Sequence, residues 1–230
     1  NNFSDFVRGR FSGVSLSRDG RLSLAPRLDT LFASDQPVVW SVVRAADGSL
    51  YAGTGHRGRV FRIDPSGKGS VIWTADQPEV FAVALDGKGA LYAATSPNGK
   101  VYRIANGEAS EFFAPQTTYI WSLAFAADGS LFVGTGDQGI IFRVDPAGRS
   151  EIYYETGQAH VTSLAFDAKG RLLAGTEPNG ILYRIEARNR ASVLYDSSLA
   201  EIRAIRVASD GVIYAAAQGG AGMRRALAPP

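Results

Sequence analysis

The sequence of 230 residues contains no cysteine, two histidines (His56 and His160) and one methionine. Without cysteine there are no disulfides, thiolate metal sites or thiol nucleophiles, and two histidines leave no material for a multi-histidine metal centre. Neither sign of charge is in excess, since 24 Lys and Arg against 22 Asp and Glu leave +2. That balance argues against a nucleic-acid partner, which would ask for a concentrated basic stripe. No apolar run reaches the roughly 18 residues of a transmembrane helix. The opening NNFSDFVRGRF lacks the apolar region of a signal peptide and is compatible with a mature N terminus after cleavage. There is also no H-E-x-x-H, no Walker motif and no defensible Ser-His-Asp arrangement, so no catalytic residue, cofactor or metal ligand set is expected.

What the chain does have is glycine, 26 residues in all. Two stretches, G-T-G-H-R-G from Gly53 and G-T-G-D-Q-G from Gly134, match the dinucleotide fingerprint G-x-G-x-x-G. That fingerprint needs a following helix, whose N terminus binds the pyrophosphate. Here RVFRID follows the first stretch, an alternating strand pattern. Equivalent positions elsewhere read A-T-S-P-N-G from Ala94 and G-T-E-P-N-G from Gly175. Only the last glycine (Gly58, Gly99, Gly139, Gly180) persists, as a tight turn with positive φ would require.

Those stretches belong to a repeat. VVWSVVRAADGSLYAGTG from Val38, EVFAVALDGKGALYAATS from Glu79, YIWSLAFAADGSLFVGTG from Tyr119, HVTSLAFDAKGRLLAGTE from His160 and EIRAIRVASDGVIYAAAQ from Glu201 align without gaps. Their starts lie 41, 40, 41 and 41 residues apart. Each unit reads as two β-rich runs around a turn, then a third run (VFRID, VYRIA, IFRVD, LYRIE) and a fourth (SVIW, SEFF, SEIYY, SVLY). Four short antiparallel strands recurring at this period predict an all-β fold, a β-propeller of four-stranded blades.

Strands one and two occur five times, strands three and four four times. GRLSLAP from Gly20 and DTLFASD from Asp29 are expected to supply the missing pair. Such a composite blade, two strands from each end of the chain, would make five blades and remove the open edges. The expected organisation is an N-terminal arm over residues 1–10, a propeller over 11–217 and a tail or linker start over 218–230.

The units, with their DG-x-LY-x-GT and G-x-[VI]-[FY]-R-[IV]-D patterns, resemble bacterial propellers of the NHL, two-component-regulator and gluconolactonase-like kind. The paired signature of true WD repeats is not present in register. The resemblance covers the chain from about Gly9 to Ala217 and implies an extracytoplasmic or regulatory bacterial propeller, with no single activity. With cysteine and cytosolic cofactor motifs both absent, a periplasmic or secreted location is the expectation.

A repeat separates fold from function, because a residue present in every unit serves the fold. The column Arg62, Arg103, Arg143, Arg184 is expected to ion-pair, locally with Asp64, Asp145 and Glu186 or between blades. Asp47, Asp128 and Asp210 precede glycines and read as hairpin chemistry, both residues accepting positive φ. Trp40, Phe81 and Trp121, fading to Thr162 and Arg203, could stack sugars or bases. Packing between blades beside Val42, Val83, Leu123, Leu164 and Ile205 is the favoured expectation for them. Ser41, Ala82, Ser122, Ser163 and Ala204 suit the crowded axis and predict a channel with few acids or bases.

The turns between strands two and three share a face with the links between blades. That face collects His56, Arg57, Glu79, Asn98, Tyr119, Asp137, Gln138, His160, Glu177, Asn179 and Glu201. Variable polar loops on a rigid scaffold are where binding resides. The leading expectation is a non-enzymatic binding or scaffold module for a protein, peptide or glycan. The alternative is a divalent-metal-dependent hydrolase or lyase of the gluconolactonase-like type, with Glu79, His160 and Glu201 as rim ligands. A third expectation makes the chain a subunit or domain of a larger assembly, bound through a face or through the N-terminal arm with its Phe3, Phe6 and Phe11.

Overall fold

The computed structural model describes residues 12–17 and 19–219. The N-terminal arm with Phe3, Phe6 and Phe11, and residues 220–230 of the tail, lie outside the described residues. No helix occurs among the described residues. The chain divides into two compact units, Asn1–Ala33 and Ser34–Pro230.

In the first unit β1 (Val14–Leu16) pairs antiparallel with β2 (Leu22–Leu24). The second unit opens with β3 (Val39–Arg44), β4 (Leu50–Thr54), β5 (Arg59–Ile63) and β6 (Gly69–Thr74). It continues through β7 (Glu79–Leu85), β8 (Leu91–Ser96), β9 (Lys100–Ala105) and β10 (Glu108–Phe113). Next come β11 (Ile120–Phe125), β12 (Leu131–Thr135), β13 (Ile140–Val144) and β14 (Ser150–Glu155). A fourth set follows, β15 (His160–Phe166), β16 (Leu172–Glu177), β17 (Ile181–Ala187) and β18 (Arg190–Asp196), and the last pair is β19 (Glu201–Val207) and β20 (Ile213–Gln218). Each set of four is one antiparallel meander, while β19–β20 is a two-stranded sheet. The expected closing blade has one of its strands in β2, but β2 is paired with β1, and residues 29–34 form no strand. A closing ladder is therefore not among the sheets of the described residues.

The hydrophobic core lies between consecutive blades. Val60, Val80 and Leu91 pack in one cluster, Val101, Ile120 and Leu131 in the next, Ile141, Val161 and Leu172 in a third, and Leu182, Ile202 and Ile205 in a fourth. One residue near the start of β7, β11, β15 and β19 (Val80, Ile120, Val161, Ile202) is completely buried there. Truncating any of these to alanine should cost about 2–5 kcal/mol.

The Asp-Gly hairpins work differently from the expectation. Gly48, Gly129 and Gly211 take positive φ near 84°, but the aspartates before them do not. Asp47 and Asp128 instead accept the N–H of Ser49 and Ser130 at 2.9 Å. These same aspartates pair the arginine column: Arg62 reaches Asp47 at 3.1 Å and Arg143 reaches Asp128 at 2.8 Å. Asp64 and Asp145 are not the partners, because each is engaged by N–H groups of its own loop (Ser66 and Lys68, Ala147 and Arg149).

Candidate functional site

Every inner strand carries one β-bulge, always at the same place. On β3 the ladder runs Val39 opposite Thr54 and then Ser41 opposite Gly53, leaving Trp40 as the extra residue. Phe81, Trp121, Thr162 and Arg203 are the extra residues of β7, β11, β15 and β19. A bulge breaks the alternation of side chains and re-aims the extra one. All five line a central channel of ≈ 400 Å³. The aromatic column expected between the blades therefore faces the axis: strict alternation assigned it to the core, and the bulge turns it out. The small residues that follow also border the channel and tie the blades together. Ser122 Oγ donates to the Val161 carbonyl and Ser163 Oγ to that of Ile202, both at 2.9 Å. Arg203 and Arg206 are the charged side chains of the channel wall, in keeping with the expectation of few acids or bases.

The mouth has two unlike walls. One is aromatic: Trp40 meets Phe81 edge-on at 5.0 Å, Phe81 meets Trp121 at 4.3 Å, and Tyr119 stacks on Trp121 at 5.2 Å between ring centroids. These rings are half-exposed. Each indole N–H is held by the first residue of the next blade. Trp40 Nε1 donates to Glu79 Oε2 at 2.6 Å and Trp121 Nε1 to His160 Nδ1 at 3.1 Å. His160 Nδ1 is thus an acceptor. The other oxygen of Glu79 accepts the His56 backbone N–H at 3.1 Å.

Gly55 and Gly136 make room for this arrangement. A Cβ on Gly55 would crowd Glu79 Oε2, Trp40 Nε1 and Val38 Cγ1, and one on Gly136 would come within 2.9 Å of Trp121 Nε1, Tyr119 Cβ and His160 Nδ1. Where the bulged residue is Phe81 or Thr162, the position holds Ser96 or Glu177 instead. The second glycine of each G-x-G is therefore matched to a tryptophan. The final glycine answers to the neighbouring link. A Cβ on Gly58 would overlap the Gln77 carbonyl oxygen. Positive φ holds at Gly58, Gly139 and Gly180 but not at Gly99, where close approach of the Thr117 carbonyl alone excludes a side chain.

The second wall is polar. Thr162, Glu177, Glu201, Arg203 and Gln218 face Trp40 and Trp121 across a cavity of ≈ 570 Å³. Glu201 accepts from Arg203 at 3.2 Å and from Gln218 at 2.7 Å. The Arg203 guanidinium lies over the Trp40 ring, 5.7 Å from its centroid. The Glu177 carboxylate has no hydrogen-bond or ion-pair partner among the described residues.

No protein-family description and no characterised sequence matches the chain. Solved structures do. Virginiamycin B lyase from Staphylococcus aureus superposes with a TM-score of 0.67 at 15% identity, over 89% of this chain and 76% of the lyase. A putative gluconolactonase gives 0.63 at 18% identity, over 79% and 73% of the two chains. The chain is a β-propeller repeat protein. A chain of a nidogen/laminin complex has the same fold at a TM-score of 0.68 and 15% identity, over 78% and 72%. The propeller's neighbours thus include enzymes and binding domains alike, and at such identities they carry the fold alone.

Of the residues expected on the binding face, the propeller brings several together. Glu79 and His56 are in contact, Tyr119 and His160 meet edge-on at 6.3 Å between ring centroids, and Glu177 and Glu201 line one cavity. Others bind the links. The Asn98 N–H donates to Gln77, Asn179 Nδ2 to Gln158 at 2.9 Å, and Asp137 accepts the Thr118 N–H at 3.3 Å. The Gln138 N–H donates to the Gly136 carbonyl, and Arg57 pairs with Asp35 at 3.5 Å. Glu79, His160 and Glu201, weighed as metal ligands, are each engaged as described. Among the described residues no group of three or more His, Asp or Glu stands close enough to hold a metal ion. Sequence reasoning missed Trp40, Trp121, Arg203 and Gln218 as site residues. The signal that could have found them is the matching of Trp with Gly and of Arg203 with Gln218 across blades.

Proposed function

We propose that this propeller is a binding module that holds its partner at the channel mouth, on the face formed by the variable turns. The observation that carries this reading is the half-exposed aromatic wall of Trp40, Phe81 and Trp121 set opposite a polar wall. Rigid strands position every member, and exposed aromatic surface beside convergent polar groups is the composition of a recognition site. The metal-dependent hydrolase or lyase reading has less support, since its three candidate ligands are committed to other partners.

The test is selection on a displayed random-peptide library and a glycan array, comparing the wild-type chain with a His56→Ala, Tyr119→Ala, His160→Ala triple variant. The expected outcome is a set of ligands that the wild type retains and the folded variant loses. Ligands retained equally by both would overturn the placement at this face.

A further inference from the structure

The mouth holds a tryptophan and a glutamate that share a guanidinium, and a second tryptophan and glutamate border the same cavity. In the first pair, the face of Trp40 and the carboxylate of Glu201 embrace a guanidinium, that of Arg203, at 5.7 and 3.2 Å. Trp121 of one blade and Thr162 and Glu177 of the next border the same cavity. His160, which holds the Trp121 indole N–H, stands directly opposite Glu177 in the β15–β16 ladder. Trp121 therefore has its N–H edge anchored at the rim. Glu177, unlike Glu201, has no donor of the chain bound to it among the described residues.

We propose, building on the binding reading above, that the Trp121–Glu177 pair takes a guanidinium from the partner, an arginine side chain carried on a peptide or loop. The physical argument has three parts. An indole face attracts a cation through its quadrupole, and a planar guanidinium both stacks there and forks onto a carboxylate. The charged side chains lining this cavity among the described residues are Glu177 and Glu201 against Arg203. A neutral sugar would use the aromatic wall but has no need of a free carboxylate charge. Finally, the channel beyond is walled by Ser, Ala and aliphatic side chains with Arg206, so a cationic head is held at the mouth and does not run deeper.

The propeller's three tryptophans give a direct readout, because Trp73 packs on Tyr102 away from this cavity. The full 15N-labelled chain is titrated with acetyl-Gly-Arg-Gly-amide, its citrulline analogue and a neutral oligosaccharide, following the indole N–H resonances. The arginine peptide should shift Trp121 saturably while Trp73 stays, and citrulline should bind at least about tenfold more weakly, since charge-assisted hydrogen bonds are lost. Glu177→Gln should weaken arginine binding by a similar factor with the remaining spectrum unchanged. Equal binding of citrulline, or no effect of Glu177→Gln, would overturn the proposal. Movement of Trp121 by the oligosaccharide alone would overturn the guanidinium assignment and leave the mouth as the binding site. If no probe moves Trp121 and the array ligands also survive the triple variant, both readings fall.

Discussion

Trp40 is matched by Gly55, Phe81 by Ser96 and Trp121 by Gly136, and at both glycines a Cβ would crowd the indole together with the group that holds its N–H. An indole that reaches the next blade leaves no space for a Cβ, whereas a phenyl ring tolerates one. Gly55→Ala should therefore destabilise by about 1–3 kcal/mol, the usual range for overpacking. Adding Trp40→Phe should recover part of that loss, because it recreates the arrangement of the second blade. A urea-denaturation cycle over the two single variants and the double variant checks this, with a coupling of at least about 0.5 kcal/mol expected. Simple additivity would mean that the glycine serves something other than the indole. A second comparison concerns the serines of the channel. Ser122 Oγ has an acceptor in the next blade, while the buried Ser41 Oγ has no hydrogen-bond partner among the described residues. Ser122→Ala should lose about 0.5–1.5 kcal/mol, and Ser41→Ala should be neutral or stabilising. Equal losses in thermal denaturation would contradict this account.

The elements show which features were readable in the sequence. The period and the four strand patterns per unit were legible because each strand is short, ends in a turn and recurs. Placing the turns and links on one face followed from meander topology, and the contact of His56 with Glu79 agrees with it. The aromatic wall was misread as core. One extra residue per inner strand flips the alternation, and a bulge leaves no mark in hydrophobic pattern alone. The partner of the arginine column was misread for a related reason. Asp64 is near Arg62 in sequence, but the β4–β5 register sets Arg62 beside Tyr51, within reach of the preceding hairpin and Asp47. Those hairpins also predict a pH response. The Ser130 backbone N–H, followed by its hydroxyl and the Arg143 guanidinium, holds the Asp128 carboxyl below its ordinary value against the opposing effect of burial. Asp47 is lowered in the same way, first by the Ser49 N–H. A carboxyl lowered in the folded state adds stability that is complete above the unfolded pKa and is lost as pH falls through the folded one. Melting temperature should thus hold down to about pH 5 and fall below about pH 4. Asp128→Asn should lower it at neutral pH, with the gap to wild type closing as pH falls below the ordinary carboxylate range. A gap of constant size across that range would show that the Asp128 charge contributes nothing.

At the scale of the propeller unit, four interblade clusters join the five blades, and burial is uneven among them. Val80, Ile120, Val161 and Ile202 are fully buried, but Val39, their counterpart on β3, is 46% exposed. On the last blade Tyr214 of β20 is 62% exposed, against 6% for Tyr92 at the same place on β8. The reason is topological. β8 lies between β7 and β9, while β20 is paired with β19 alone among the described strands. A strand with one ladder and little apolar cover opens at low free-energy cost, so stability should decline toward the end of the ring. Native-state hydrogen exchange reads this directly. Amides of Ile213–Gln218 should exchange at least about tenfold faster than those of Leu91–Ser96, with β12 and β16 following β8. Protection of β20 equal to that of β8 would overturn the open-edge account and require a further strand laid against it. Loss of that protection on dilution would assign the strand to a second copy of the chain, and its persistence would assign it to the same chain.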